Sequence, residues 1–518
     1  MNARAKKILL LLLAVLLLLV SGRMQQSLNI ERDTLGLTHV AVLDNAPPML
    51  AFTTVALGGF RGLISNLLWM RANDLQQDDK YFEAVQLATW ITELEPHFTQ
   101  VWLFLGWNMA YNISVKFKDF PDRWRWVERG IDLLRDEGLR YNPDDLLIHR
   151  ELAWFFQHKM GQNLDDANAY YKQQWAMEMM PLFGPQGTNF SELINPTTAE
   201  ARTNAQVLRE KFKMDPVFAQ KIDEQYGPLD WRLPEAQAIY WGAMGLKKAK
   251  EHPDKVKSSD LITLRRIIYQ SMLQAFHHGR IIDDPFAKTS SLEPNLDLVA
   301  KVNDAYVTLM GEDEQYSNHI SNAHKNFLKD AVYFLYEKNR VADAAKWYKI
   351  LGEKYPDKYV LDADPNSFPT NTTLDEYAVG RVQAELGDTS QERITGVIEG
   401  LIARSYYELA KGQDDRSAGY RLLARKVYDN YTKKISSMKS NLERVGLPPF
   451  DVMNRTVLNR LLATQQPLLP YAARAVLRTQ LGMPAESVAR PAGIVSTNAP
   501  SATMTNAVET APTTSAAQ

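Results

Sequence analysis

The sequence predicts an all-α chain. Three observations predict it. From Leu57 onward the apolar residues recur with a period close to 3.6. β-branched alternation of period two is scarce, and so are Asn-Gly or Asp-Gly hairpin turns. Prolines at 96, 121, 143, 181, 228, 253, 285 and 356 cut the chain into segments that hold one or two helices of ordinary length. Composition sets the limits of the reading. Hydrophobic residues make up 45% of the 518 and charged residues 23%, which is ordinary globular usage. With 59 Lys+Arg against 61 Asp+Glu the net charge is −2, so the chain lacks the basic footprint of a nucleic-acid binder. Cysteine is absent, which removes disulfides, thiolate nucleophiles, Cys-ligated zinc and a lipidated Cys anchor.

The first element, residues 1–22, is an address. Arg4, Lys6 and Lys7 precede an uncharged, Leu-rich run from Ile8 to Val20, and Arg23 closes it. A run of that length is short for a membrane span and normal for a signal-peptide core. The Leu density favours an uncleaved single-pass anchor, with Lys7 and Arg23 reaching the interfaces; cleavage near Val20-Ser21-Gly22, giving a secreted chain, is the alternative. In both readings the positive residues stay inside and the body faces the exported side. Residues 23–56 read as a linker. Residues 57–181 form the first helical block. There Leu63, Leu67, Leu68, Met70, Arg71 and Leu75 fit one helix, and Phe82, Val85, Leu87, Ala88 and Ile91 the next. Asn142-Pro143-Asp144-Asp145 places acids at a helix start, where the macrodipole favours them. Pro234 suits the first turn of a helix running on to Lys250. Residues 182–310 are helical but off the spacing of the first block, either an inserted lobe or degenerate repeats. Residues 311–482 return to that spacing. Residues 483–518 make a tail rich in Ala, Thr, Ser and Pro, with too little apolar bulk to offset the entropy of ordering.

An internal repeat underlies the first and later blocks. Ala84 lies twelve residues before Pro96, as Ala344 does before Pro356. Pro96 lies six before Trp102, as Pro143 does before His149. Trp102-x2-Leu105-Gly106 opens one helix, and Leu152-Ala153-x2-Phe156 occupies the matching place in another. This spacing resembles the tetratricopeptide-repeat family, with W-x2-L-G-x2-Y, then A-x3-F, then Pro, in about 34 residues. Small residues at Gly106, Ala153, Ala84 and Ala344 would let helix backbones approach, with Trp102, Phe156 and Tyr348 filling the space beside them. The repeats run from Ser65 to Ile91, from Trp102 with an insertion before its second helix, from His149 to Met180, and from Leu328 to Pro356. A further one is suggested by Ala403-x2-Tyr406 and Ala418-x3-Leu422. The resemblance implies a right-handed α-solenoid of helix-turn-helix repeats.

Signals for chemistry are thin. There is no His-Glu-x-x-His, no Gly-x-Ser-x-Gly and no Gly-x-x-x-x-Gly-Lys, so no catalytic residue, cofactor or metal is expected. Two aromatic stretches stand out, Asp230 to Trp241 and Phe120 to Trp126. Both suit inter-helix packing with Arg on Trp faces, and both suit a binding patch.

The function expected is that of a noncatalytic interaction scaffold of the cell envelope, with a protein or peptide partner in the groove, membrane contact through the N-terminal helix, and no nucleic acid. By the family resemblance, the groove-facing residues would include Asn66, Trp69 and Asn73, then Trp107 and Tyr111, then Arg150, Trp154, Gln157 and His158. They do not reproduce the Lys/Asn clamp by which some members hold a C-terminal carboxylate. Trp107 and Trp154 stand at equivalent places, five residues after Trp102 and His149, and are the expected anchors. The insertion from Ser114 to Trp126 folding over both is the competing reading. An exported enzyme on an α-superhelical scaffold, of murein-cleaving type, is the alternative function; the Gly-Leu-Met-Gln motif of such enzymes is absent.

Overall fold

The computed structural model describes residues 61–486, apart from 254–255, 285–288, 313–315, 363, 385–390, 437–446 and 466, together with a few positions between 16 and 31. Most of the run from Ile8 to Val20, most of the linker and the tail from 491 lie outside the described residues. Among the described residues, no helix is long and apolar enough to cross a membrane. The protein is mostly helical, as expected, and divides into two compact units, Met1–Asp388 and Thr389–Gln518.

In the first unit, α1 (Arg61–Gln77) packs along α2 (Tyr81–Leu94), and α2 packs on α3 (Thr99–Trp107). The helix of α3 continues past Trp107 but widens to π geometry over Asn108–Ile113. Helix α4 (Phe120–Asp132) widens likewise over Leu133–Gly138, and α5 (Leu146–Trp154) over Phe155–Gly161. Such widened turns are rare and are often found at functional sites. Asp145 caps α5 by accepting from the Leu147 N–H at 2.8 Å, so the acids before that helix act as expected.

Small residues set the helix crossings. Ala84, Ala153 and Ala344 are fully buried. A Cβ on Gly106 would meet Leu134 at 3.0 Å, and one on Gly130 would meet the Gly106 carbonyl at 3.1 Å. At the α3–α4 crossing a Cβ on either glycine would therefore press its neighbour closer than ordinary contact. Trp102 fills the adjoining space and donates its indole N–H to the Pro96 carbonyl at 2.8 Å.

Helix α6 (Asn168–Phe183) leads into three short helices, α7 (Phe190–Ile194), α8 (Ala199–Glu210) and α9 (Pro216–Tyr226). Helices α10 (Pro234–Glu251) and α11 (Ser258–His278) then pack on each other and on α5. Pro234 takes the first turn of α10, as expected. A β-hairpin follows, β1 (Arg280–Asp284) with β2 (Thr289–Glu293), antiparallel, with Ile282 opposite Ser291. It departs from a purely helical reading. Its strands are short and half polar, too brief to register as a period-two pattern. Helices α12 (Val299–Glu312), α13 (Ser317–Glu337), α14 (Val341–Lys354) and α15 (Leu374–Ala384) complete the unit.

In the second unit, α16 (Gln391–Ala410) packs along α17 (Asp414–Ser436), and α18 (Phe450–Leu461) and α19 (Tyr471–Gln480) pack on α16. Gly412 makes the turn between α16 and α17 at φ 73°, a left-handed conformation that favours glycine. The close crossing of this pair is at Ser405 and Ser417, whose hydroxyls lie 3.2 Å apart. Ala418, the small residue the spacing singled out, is exposed. The crossing falls one position before Ala418 on α17 and two after Ala403 on α16.

The apolar stripe read on α1 also turns out differently. Ser65, Ala72 and Leu75 point inward, while Leu63, Leu67 and Met70 are all more than half exposed. A stripe read from apolar period alone assumes neighbours along its whole width. Among the described residues, none covers the outer side of α1.

Candidate functional site

The site lies where α1, α3 and α5 come side by side. Trp107 and Trp154 are each the last residue before a π-widened stretch. In each case the ring stacks on the residue four further along. Trp107 lies on Tyr111 with ring centres 4.1 Å apart and planes within 17°. Trp154 lies on His158 at 4.5 Å and 11°. The two stacks are joined, because the Tyr111 hydroxyl and His158 Nδ1 are 3.2 Å apart, within hydrogen-bond distance. Residues 47 positions apart thus form one aromatic row across two helices.

A cavity of about 280 Å³ opens at one end of this row. Trp69, Leu103, Phe104 and Trp107 supply its apolar lining, and Gln76, Gln100, Asn108 and Glu151 its polar lining. Trp69 meets Phe104 edge-on at 5.0 Å and Phe98 at 5.7 Å. Glu151 is half-buried and, among the described residues, has no hydrogen-bond or ion-pair partner. Burial pushes its carboxyl up to about 7, opposed only by the Arg150 charge beside it. Burial and the Glu151 charge together hold the Tyr111 phenol far above its ordinary range. Burial and the neighbouring Lys159 push the His158 imidazole below its ordinary value.

At the other end of the row a second cavity, about 210 Å³, is lined by Tyr111, Val115, His158, Lys159, Arg123 and Asp165, among others. Its charges are already matched. Asp165 bonds Lys159 at 2.6 Å and Arg123 at 2.7 Å, and Arg123 also reaches Asp166 at 2.6 Å. Burial would raise the Asp165 carboxyl, but Lys159, the Ala167 N–H and Arg123 outweigh it and hold it below its ordinary value.

The residues expected in the groove divide into two groups. Trp69, Trp107, Tyr111, Trp154 and His158 come together as described. Arg150 and Gln157 are engaged on another side of α5. Arg150 pairs with Asp260 of α11 at 2.8 Å, and Gln157 is buried with its amide 3.4 Å from Gln270. Asn66 is exposed, and Asn73 donates to the Trp69 carbonyl within its own helix at 2.9 Å. Neither lines either of these two cavities. The insertion leaves Trp107 open, with 37% of its surface exposed: Phe117 stacks on Trp126 and Phe82 meets Trp126 edge-on, while Val115 and Arg123 of the insertion wall the cavity beside Tyr111 and His158. In the stretch from Phe120 to Trp126, Arg123 and Arg125 pair with aspartates rather than with rings; it is Arg129 that lies over Trp126.

Sequence reasoning missed Phe104 and Glu151. Each stands three residues before an anchor Trp, on the same helix face, and the two are again 47 apart. Outside this groove, Asp144, Glu251 and His252 lie close enough together to share a cation. Lys248 already bonds Asp144 at 2.7 Å and Glu251 at 3.0 Å, so its ammonium competes for that place.

Comparison with known proteins finds no matching family model, no matching curated protein and no matching solved structure.

Proposed function

We propose that the protein is a noncatalytic interaction scaffold that holds a protein or peptide segment along the face shared by α1, α3 and α5. In this reading the helix pairs are tetratricopeptide-like repeats of an α-solenoid, carried on the exported side of a membrane by the N-terminal segment. The observation that carries it is the row Trp107, Tyr111, His158, Trp154. Large, partly exposed rings fixed by stacking lose little freedom on contact with a partner, and Trp and Tyr dominate the energetics of interfaces. Their side-chain order is built before any partner arrives, and the cavities at both ends give room for side chains of a bound segment.

A photocrosslinking residue placed at 107, with position 90 as the control, tests the reading in intact cells. Trp90 is also partly exposed, but lies on α2, away from the row. A discrete adduct at 107 and none at 90 is the expected result. No adduct at 107, or the same adducts at both positions, overturns it.

A further inference from the structure

The cavity at the Trp107 end carries an inference about the chemistry of the occupant, one that rests on the groove reading above. Three of its walls are aromatic faces or edges: Trp69, Phe104 and Trp107. The fourth side holds Glu151, half-buried and without a partner among the described residues. A carboxylate removed from water without a hydrogen-bonding partner is costly, so such groups are ordinarily paired. The cation nearest in sequence, Arg150, is engaged elsewhere with Asp260 at 2.8 Å.

We propose that this cavity receives a cationic side chain of the bound segment, a lysine ammonium or an arginine guanidinium. Glu151 supplies the counter-charge and Trp69, Phe104 and Trp107 the ring surfaces. Aromatic rings attract a cation through their negative faces, and the attraction strengthens when water is excluded. The other occupants fit less well. An acidic side chain would meet Glu151 with like charge, and an apolar one would strip the last water from an unpaired carboxylate. Neutral amides at Gln76 and Gln100 leave Glu151 as the single charged group of the lining. The second cavity shows the contrast, since there Lys159 and Arg123 already neutralise Asp165 and Asp166. One end of the row is thus satisfied by the protein's own cations, and the other lacks one.

The test is a positional-scanning hexapeptide library with blocked ends, passed over the immobilised full-length protein in detergent. The wild-type protein is expected to retain sub-libraries that fix Lys or Arg about tenfold better than those that fix norleucine or citrulline, the neutral counterparts. Glu151→Gln should abolish that ratio without lowering the melting temperature, and Glu151→Asp should restore part of it. A Lys/Arg preference unchanged in Glu151→Gln, or none in the wild type, overturns the cation assignment. If peptide retention is then still lost in the Trp107→Ala/Trp154→Ala double variant, the groove reading stands without it. Retention indifferent to that double variant overturns both.

Discussion

Two aromatic groups of this protein end in opposite places. Trp231, Tyr240 and Trp241 are buried almost completely, within a network in which Trp231 stacks on Phe183 and meets Phe190 and Tyr240 edge-on. Trp107, Tyr111, Trp154 and His158 keep partial exposure and stack within their own helices. The first group draws partners from α6, α7, α9 and α10, which close around it. The second lies on helices whose neighbours pack on their other sides. Aromatic density therefore does not distinguish a core from an interface. What distinguishes them is whether elements close around the rings from several sides, as around Trp231, or meet them along one shared face, as in the row, where Tyr111 also reaches Phe155 and His158 of the next helix.

The comparison predicts its largest effect in the buried group. Trp231→Ala should lower unfolding stability by about 3–5 kcal/mol, through lost transfer and cavity terms. It also removes the indole N–H that bonds Asp223 at 3.0 Å, so the cost belongs at the upper end. Trp107→Ala should cost only about 0.5–1.5 kcal/mol, the worth of one ring pair. Chemical denaturation of the two variants side by side checks this; equal losses would mean that Trp107 is core. Nearly as large an effect is expected beside the second cavity. Asp165→Asn strips the carboxylate from Lys159 and Arg123, both nearly buried, and breaking a buried ionic cluster costs about 3 kcal/mol or more. Since the Asp165 carboxyl is held low when folded, its contribution is present above pH 4 and is lost as the pH falls through its folded value. In acid, wild type and Asp165→Asn should therefore converge in melting temperature.

A smaller effect separates the two cavities by pH. The Glu151 carboxyl is raised to about 7 in the folded protein, against 4.5 as its ordinary value. The folded state then binds the proton more tightly than the unfolded one, so stability from this group is full below about 4.5 and declines as the pH rises to about 7. Allowing for solvent screening of a half-buried group, the decline is about 1–2 kcal/mol. Glu151→Gln should flatten that part of the melting profile and be no less stable than wild type at pH 8. A variant less stable than wild type at pH 8 would show that Glu151 has a stabilising partner.

The degree to which the sequence announced this structure differs by feature. The helix crossings were legible at Ala84, Gly106, Ala153 and Ala344, because a small residue at a fixed distance from a proline has few other uses. The crossing at Ser405 and Ser417 was not, because serine serves equally well on a surface. The equivalence of Trp107 and Trp154 was legible from spacing alone. The π-widened turns that fix their stacks carry no composition signal, and they decide which residue each ring meets. Glu151 was missed for a physical reason. Acids on helices are ordinarily solvated, and only the arrival of Trp69 and Phe104 from other helices removes the water from this one. The outward Leu63, Leu67 and Met70 of α1 show the converse, since the apolar period was real but the burial was not.

The smallest expected effect is the sharpest control on the comparison. Trp90 and Trp107 are exposed to similar extents, 46% and 37%, so exposure alone would give them the same role. They differ in what surrounds them. Trp107 stacks on Tyr111 and lines a cavity, whereas Trp90 makes no ring contact among the described residues. A lone apolar side chain on a surface is common and needs no function. Trp90→Ala should therefore change stability by no more than about 0.5 kcal/mol, the range of ordinary surface substitutions. Peptide retention should be unaltered in the same variant, while Trp107→Ala lowers it about tenfold or more, the scale of an interface anchor. The pair is read by melting temperature together with retention on one peptide pool. Equal loss of retention in the two variants would mean that any exposed tryptophan suffices, and the organised row would then have no special part in binding.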